Sequence, residues 1–178
     1  TLNGVEWLAH RGSVGKPALN VEVGLVDGEV QVRAPNCAHA YHRRENDEAF
    51  AEGWFRTGDL ARIDADGYYE IIGRAKELII SGGENIYPAE IENIALADAA
   101  VADAAVVGLP DARWGEVAVL AIVPRAGATV DVARLQAAFA ATLARFKHPR
   151  RIVVLPALPK SALGKVRKAD LAIDLQQT

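Results

Sequence analysis

Up to about Ile72 the chain alternates apolar and polar residues in short runs separated by turn signals, the period of strands with one face in water. Val21 to Val26 and Glu29 to Val32 flank Asp27-Gly28, a dipeptide suited to a tight hairpin turn. Leu60 to Ile63 and Tyr68 to Ile72 flank Asp64-Ala65-Asp66-Gly67, which predicts a second hairpin. Between them, Asn46 to Glu52 reads as a short helix with acidic residues in its first turn, where they complement the helix dipole. This first portion reads as half of a β-barrel.

Beyond Gly73 the periods change. Glu77 to Ile80 is strand-like, and Pro88 opens a helix to about Ala97, since a first-turn proline loses no needed N–H. Ala104 to Leu109 and Val117 to Val123 are apolar strands. After a cap at Asp131 or Thr129, Val132, Leu135, Phe139 and Leu143 fall on one helical face, which predicts burial against a sheet. The expected class is α+β: a β-rich, barrel-like portion over residues 1–74, then a small mobile α+β domain over 75–178 whose sheet is flanked by helices, with a hinge near 74–76.

Composition narrows the picture. With 178 residues, 51% of them hydrophobic, the chain can bury a proper core. A net charge of −3 argues against wholesale binding to nucleic acid or acidic membranes, so any anion site must be local. The single cysteine, Cys37, cannot form an internal disulfide, and the cytoplasm is the expected compartment. No run approaches the roughly 20 apolar residues of a membrane span. The chain lacks methionine and begins Thr1-Leu2-Asn3-Gly4, which reads as a piece of a longer protein.

Several residues invite chemistry. In Thr57-Gly58-Asp59 the glycine lets a ligand approach the backbone and the carboxylate can accept from paired hydroxyls, although alone it reads as a turn aspartate. Arg74 carries a planar fork for a ribose, phosphate or carboxylate, and alone reads as a surface ion-pair residue. Ser81-Gly82-Gly83-Glu84-Asn85 is expected to be a tight loop between a strand and a helix. Lys165 follows Gly164 in a flexible, proline-marked stretch that can deliver its ammonium to a site built elsewhere. It is not a phosphate-loop lysine, because Pro159 and Val166 stand where glycine and a hydroxyl residue are required. Glu90 and Glu92, two apart on a helix, point in different directions and are expected to solvate and cap it. Cys37, His39 and His42 fall short of a closed zinc site, and no metal site is expected. Lys147, His148, Arg150, Arg151, Lys160, Lys165, Arg167 and Lys168 form a basic stretch, either a solvated face or an attractor for phosphates.

Taken in order, Thr57-Gly58-Asp59, the run from Gly73-Arg74-Ala75-Lys76 through Ser81-Gly82-Gly83-Glu84-Asn85, and Pro159-Lys160-Ser161-Ala162-Leu163-Gly164-Lys165 resemble the C-terminal part of the adenylate-forming (AMP-binding) superfamily. The likeness runs from about Val14 to the end and is greatest to an acyl-CoA synthetase or fatty-acid:CoA ligase. It implies that Asp59 and Arg74 hold the ribose of ATP and AMP, and that Lys76 is the hinge about which the small domain rotates. It also implies that Ser81, Gly82, Gly83 and Glu84 line a pantetheine tunnel. Lys165 would offset charge on the α-phosphate and the carboxylate during adenylation. By the same likeness Asp111, Trp114, Gly115 and Glu116 shape a turn and pack the small domain, and Ala40 departs, standing where relatives usually have glycine before tyrosine.

The implied reaction joins a carboxylic acid, expected to be a fatty acid, to CoA through an acyl-adenylate, using ATP with Mg2+. Its partners are the acid, CoA and the missing N-terminal domain of the same chain; neither nucleic acid nor a membrane span is expected. The fragment alone is expected to be inactive. Two other readings stand beside it: an adenylation domain that loads a carrier protein, and a non-enzymatic α+β module that binds RNA or protein. The second lacks stacking platforms, since Phe146 is the only aromatic residue in the basic stretch.

Overall fold

In the computed structural model, which describes residues 1–42 and 48–177, the chain separates into two units, Thr1–Lys76 and Glu77–Thr178. The first holds α1 (Gly4–Ala9), β1 (Glu22–Val26), β2 (Glu29–Arg33), β3 (Phe50–Ala51), β4 (Trp54–Ile63) and β5 (Tyr69–Arg74). All five strands form one antiparallel sheet in which β4 is central, with β2 on one side and both β3 and β5 on the other. Asp27 and Gly28, with φ of 51° and 81°, make the expected two-residue turn between β1 and β2. Asp64 Oδ1 accepts from the N–H groups of Asp66 and Tyr68, closing the β4–β5 turn.

Two features of this unit differ from the sequence reading. Of the helix expected over Asn46 to Glu52, Asn46 and Asp47 lie outside the described residues, and Phe50–Ala51 is strand β3. Glu52 and Gly53 adopt φ of 51° and 80°, a tight turn that pairs Ala51 with Trp54 and Phe50 with Phe55. The Phe50 and Phe55 rings lie 5.1 Å apart, so cross-strand aromatic packing outweighs the acidic helix-start signal. Helix α1 was not anticipated, yet Asn3 and Glu6 form a reciprocal capping box and Glu6 Oε1 accepts from the Tyr68 hydroxyl.

The second unit holds β6 (Ile79–Ser81), β7 (Glu84–Ile86), α2 (Pro88–Leu96), β8 (Val101–Asp111), β9 (Gly115–Pro124), α3 (Val132–Thr142), β10 (Arg151–Val154) and α4 (Lys168–Gln176). Strand β9 pairs antiparallel with β8 along nearly its whole length; β10 joins it in parallel and β6 antiparallel, and β7 pairs with β6. The near-continuous apolar runs of β8 and β9 are explained by burial on both faces. Ala104, Val106, Leu120 and Ile122 face one core with Ile91, Leu135 and Phe139. Ala105, Val107, Val119 and Ala121 face the other with Leu171 and Leu175 of α4. This is the α+β sheet flanked by helices.

Strand β10 and helix α4 escaped the sequence reading. Leu171 and Leu175, one turn apart, are the buried residues of α4, with Ala172 packed beside them, and the exposed Ile173 on the outer face blurs the amphipathic signal. Phe139 is 1% exposed in the α2–α3 core, so Phe139→Ala is expected to cost about 3–5 kcal/mol, read as a lowered urea midpoint of the second unit's transition.

Candidate functional site

The first cluster is built by an irregularity in β4. Three residues of β2, from Glu29 to Gln31, face five of β4, from Arg56 to Leu60, so Thr57-Gly58-Asp59 stands out of the regular ladder. Gly58 has φ of 75°, which only glycine adopts readily. The Thr57 hydroxyl donates to Val30 O at 2.8 Å and accepts from Asp59 N at 3.0 Å, fixing the turn. Asp59 is then the cross-strand partner of Arg74, with Nη1 at 3.0 Å from Oδ1. Arg74 Nη1 also donates to Thr57 O at 2.9 Å. The two side chains stay 34% and 54% exposed, so each keeps polar atoms within a ligand's reach, and such an open ion pair contributes little stability.

Thr57 and Gly58 line a 770 Å³ cleft together with Tyr41, Arg56 and Lys76. Lys76 lies in a single 3-10 turn over Ala75–Glu77 and is the last residue of the first unit.

The second cluster corrects an expectation. Ser81 to Asn85 is not a strand-to-helix loop: Ser81 pairs with Glu84, so Gly82-Gly83, with φ of 61° and 87°, is the tip of a β6–β7 hairpin. Gly82 N donates to Trp114 O at 2.8 Å, and a Cβ added at Gly82 would lie 2.6 Å from Trp114 Cε3. Trp114 is held in turn by Asp111, whose Oδ1 accepts from the N–H groups of Arg113 and Trp114. Those two bonds, and secondarily the charges of Arg150 and Arg113, hold the Asp111 carboxyl below the ordinary carboxylate range. Glu116 Oε2 accepts from Ile80 N at 3.0 Å, tying the same turn to β6.

Beside this hairpin lies a 600 Å³ cleft lined by Gly82, Trp114, Phe146, Arg145, His148 and Arg150, among others. The sequence reading singled out several of these residues separately. It had no way to see that β9 and the 3-10 turn at Arg145–Lys147 bring them to one cleft.

Lys165 sits on a hydrogen-bonded turn. Ser161 N donates to Lys165 O at 2.8 Å, Gly164 N to Ser161 O at 2.9 Å, and Lys160 bridges to Val166. Its side chain is exposed and makes no ion pair among the described residues. Its basic neighbours do: Lys147 with Glu90 at 2.7 Å, Lys160 with Asp103 at 2.6 Å, Arg167 with Asp170 at 2.8 Å, and Lys168 with Glu77 and Glu92 at 2.6 and 2.8 Å. Four of the eight residues of the basic stretch are therefore ion-paired. Glu90 and Glu92 are interior ties in place of solvating caps, and Glu92 also accepts from Val106 N at 2.8 Å.

Among the described residues, one group brings three possible metal ligands together: His10, Asp64 and Asp66, with donor atoms within 4.8 Å of one another. Its geometry is that of a turn. Asp64 Oδ2 is bonded to His10 Nδ1 at 2.9 Å, its Oδ1 closes the hairpin, and the His10 ring stacks on Tyr68 at 3.7 Å.

A carboxylate and a guanidinium held side by side can bond hydroxyls, and a cleft with two arginines and two aromatic rings can bond phosphates and stack on a flat ring. Residues 90–165 match the AMP-binding enzyme C-terminal domain. Indoleacetate--CoA ligase of Aromatoleum aromaticum is 46% identical over 160 residues, 89% of this chain and 31% of that protein. o-Succinylbenzoate CoA synthetase from Bacillus subtilis, in complex with its acyl-adenylate intermediate, superposes with a TM-score of 0.88 at 36% identity, over 96% of this chain and 37% of that one. The same enzyme in complex with ATP and magnesium ion gives a TM-score of 0.83 at 36% identity, over 92% and 36%. The chain belongs to the adenylate-forming, AMP-binding superfamily. It spans about a third of the length of these relatives.

Proposed function

We propose that the protein of which this chain forms about a third is an ATP-dependent acid:CoA ligase. The observation that carries the reading is the cross-strand pair of Asp59 and Arg74, whose exposed polar atoms suit two vicinal ribose hydroxyls. Asp59 accepts from the hydroxyls, and Arg74 holds the carboxylate in place through its bonds to Asp59 and to Thr57 O. Lys165, charged and unpaired among the described residues, offsets the charge that develops as a carboxylate oxygen bonds to the α-phosphorus and the bond to pyrophosphate breaks.

In the second step the CoA thiol adds to the acyl carbon, AMP leaves and the thiol proton passes to solvent. The Gly82-Gly83 hairpin guides the pantetheine arm, with Ser81 and Glu84 at its base. The 600 Å³ cleft beside it suits the nucleotide end of CoA, offering Trp114 and Phe146 to a base and Arg145 and Arg150 to phosphates. This cleft favours free CoA over a carrier protein as acceptor. Lys76 is the pivot that exchanges Lys165 for the hairpin between the two steps.

Magnesium supplies charge neutralisation on the triphosphate. Glu29 and Asp59 are each engaged by an arginine, so these residues do not fit a resident ion, and the ion would enter with ATP. The relatives' printed names concern indoleacetate and o-succinylbenzoate, both ring-bearing acids, so aromatic acids join fatty acids as candidate substrates. No helix among the described residues is long and apolar enough to cross a membrane, and with Cys37 a free thiol we place the protein in the cytoplasm.

The test is ATP–pyrophosphate exchange by the full-length product of the native gene with a panel of fatty, short-chain and aromatic acids. Acid-dependent exchange is expected with one class. Silence across the panel, together with salt-sensitive binding to RNA, would transfer support to a non-enzymatic module.

A further inference from the structure

Among the described residues Glu29 is the only charged residue buried as a whole, at 8% exposure. A buried carboxylate is costly unless its oxygens are satisfied, and here both are. Oε1 accepts from Gly58 N at 3.0 Å. Oε2 accepts from Arg56 Nε at 2.9 Å and Nη2 at 2.6 Å. Glu29 thus stands under the segment that the register shift expels from the β2–β4 ladder. Leaving the ladder deprives Gly58 N of a strand carbonyl, and the Glu29 carboxylate takes that carbonyl's place. Arg56, the last residue paired with β2 before the segment, is held from the same carboxylate. Both ends of the Arg56-Thr57-Gly58 run are therefore pinned to one side chain, and Asp59 is the next residue.

We propose that Glu29 is a positioning residue for nucleotide binding: through Gly58 and Arg56 it fixes the turn that aims the Asp59 carboxylate at the ribose hydroxyls. The inference rests on the reading of Asp59 as the ribose ligand. Bulges of this kind re-aim side chains next to sites, and in this one the Glu29 carboxylate, beside the Thr57 hydroxyl and Arg74, takes over from ladder hydrogen bonds and is the group that holds both Arg56 and Gly58. The sequence offered no sign of it, since Glu29 follows Asp27-Gly28 as an ordinary first strand residue.

The experiment measures dissociation constants of AMP and of 2′,3′-dideoxyadenosine monophosphate by calorimetry, on the full-length protein and its Glu29→Ala, Glu29→Gln and Asp59→Ala variants. Glu29→Ala is expected to weaken AMP binding about 10-fold or more, the scale of a lost hydrogen bond to a charged group, and to leave the dideoxy nucleotide within about 2-fold. Glu29→Gln keeps an acceptor for Gly58 N and is expected to recover most of the AMP affinity. A merely structural role would weaken both nucleotides alike, and that result overturns the proposal. If Glu29→Ala does not fold, Glu29→Leu, which fills the same space without an acceptor, decides by the same comparison: a loss confined to AMP supports the role, and an equal loss for both nucleotides or none overturns it. Asp59→Ala separates the two layers. If it fails to discriminate the nucleotides, the ribose reading falls and the proposal with it; if it discriminates while the Glu29 variants do not, the positioning role alone falls.

Discussion

Lys165→Ala is expected to slow acid-dependent ATP–pyrophosphate exchange by the full-length protein about 10²–10³-fold, the loss typical of removing one group that stabilises transition-state charge. Thioester formation from supplied acyl-adenylate is expected to stay within about 3-fold of the parent, because an interaction made only in the first transition state leaves the second untouched. The structure makes this a clean experiment. Lys165 is exposed and makes no ion pair among the described residues, and its turn is held by backbone groups and Ser161, so the substitution removes charge without removing packing. Surface changes of this type usually alter stability by under about 0.5 kcal/mol, so lost rate reads as lost chemistry. Equal damage to both half-reactions would count against the assignment of Lys165 to the adenylation step alone.

The second large effect is expected at the hairpin tip, with the opposite selectivity. At Gly82 a methyl group would meet the Trp114 ring at 2.6 Å, and the backbone lies at φ of 61°. At Gly83 the φ is 87° but nothing lies within 4 Å, so alanine there suffers backbone strain alone. That strain is about 1–3 kcal/mol, and the ring clash comes on top of it at Gly82. Gly82→Ala is therefore expected to cut single-turnover thioester formation about 100-fold and Gly83→Ala about 10-fold, each 10-fold step being about 1.4 kcal/mol. Exchange with pyrophosphate is expected to be spared in both. An identical response of the two variants, or loss of exchange matching loss of thioester formation, would remove the hairpin from the CoA step.

What was legible in the sequence follows the range of the signals involved. The Asp27-Gly28 and Asp64–Gly67 turns, the proline-led α2 and the Leu135–Phe139 stripe are local patterns, and they appear where the spacing puts them. The hairpin at Glu52-Gly53 was missed because its decisive interaction, Phe50 against Phe55, lies across a turn whose first residue is not a usual turn former. Helix α4 was missed because its apolar face is short, Leu171 and Leu175 with Ala172, and Ile173 on the exposed side breaks the period. In the candidate site, Asp59 and Arg74 were legible one at a time; their pairing depends on the β4–β5 register, which carries its own irregularity between Leu60 and Ala61. The ties from Glu90 and Glu92 depend on partners in distant elements, Lys147 and Lys168, that no short-range rule selects.

The β8–β9 hairpin, whose residues serve both cores of the second unit, also bears on the order in which that unit assembles. Its strands are neighbours in the chain, joined by a short turn that Asp111 braces, so little chain entropy opposes their meeting. Strand β10 can join β9 only after α3 has been traversed, and α4 closes the opposite face last in chain order. The unit thus has a local starting point that already displays both halves of its future interior, and the slower, longer-range closures have a formed surface on which to settle.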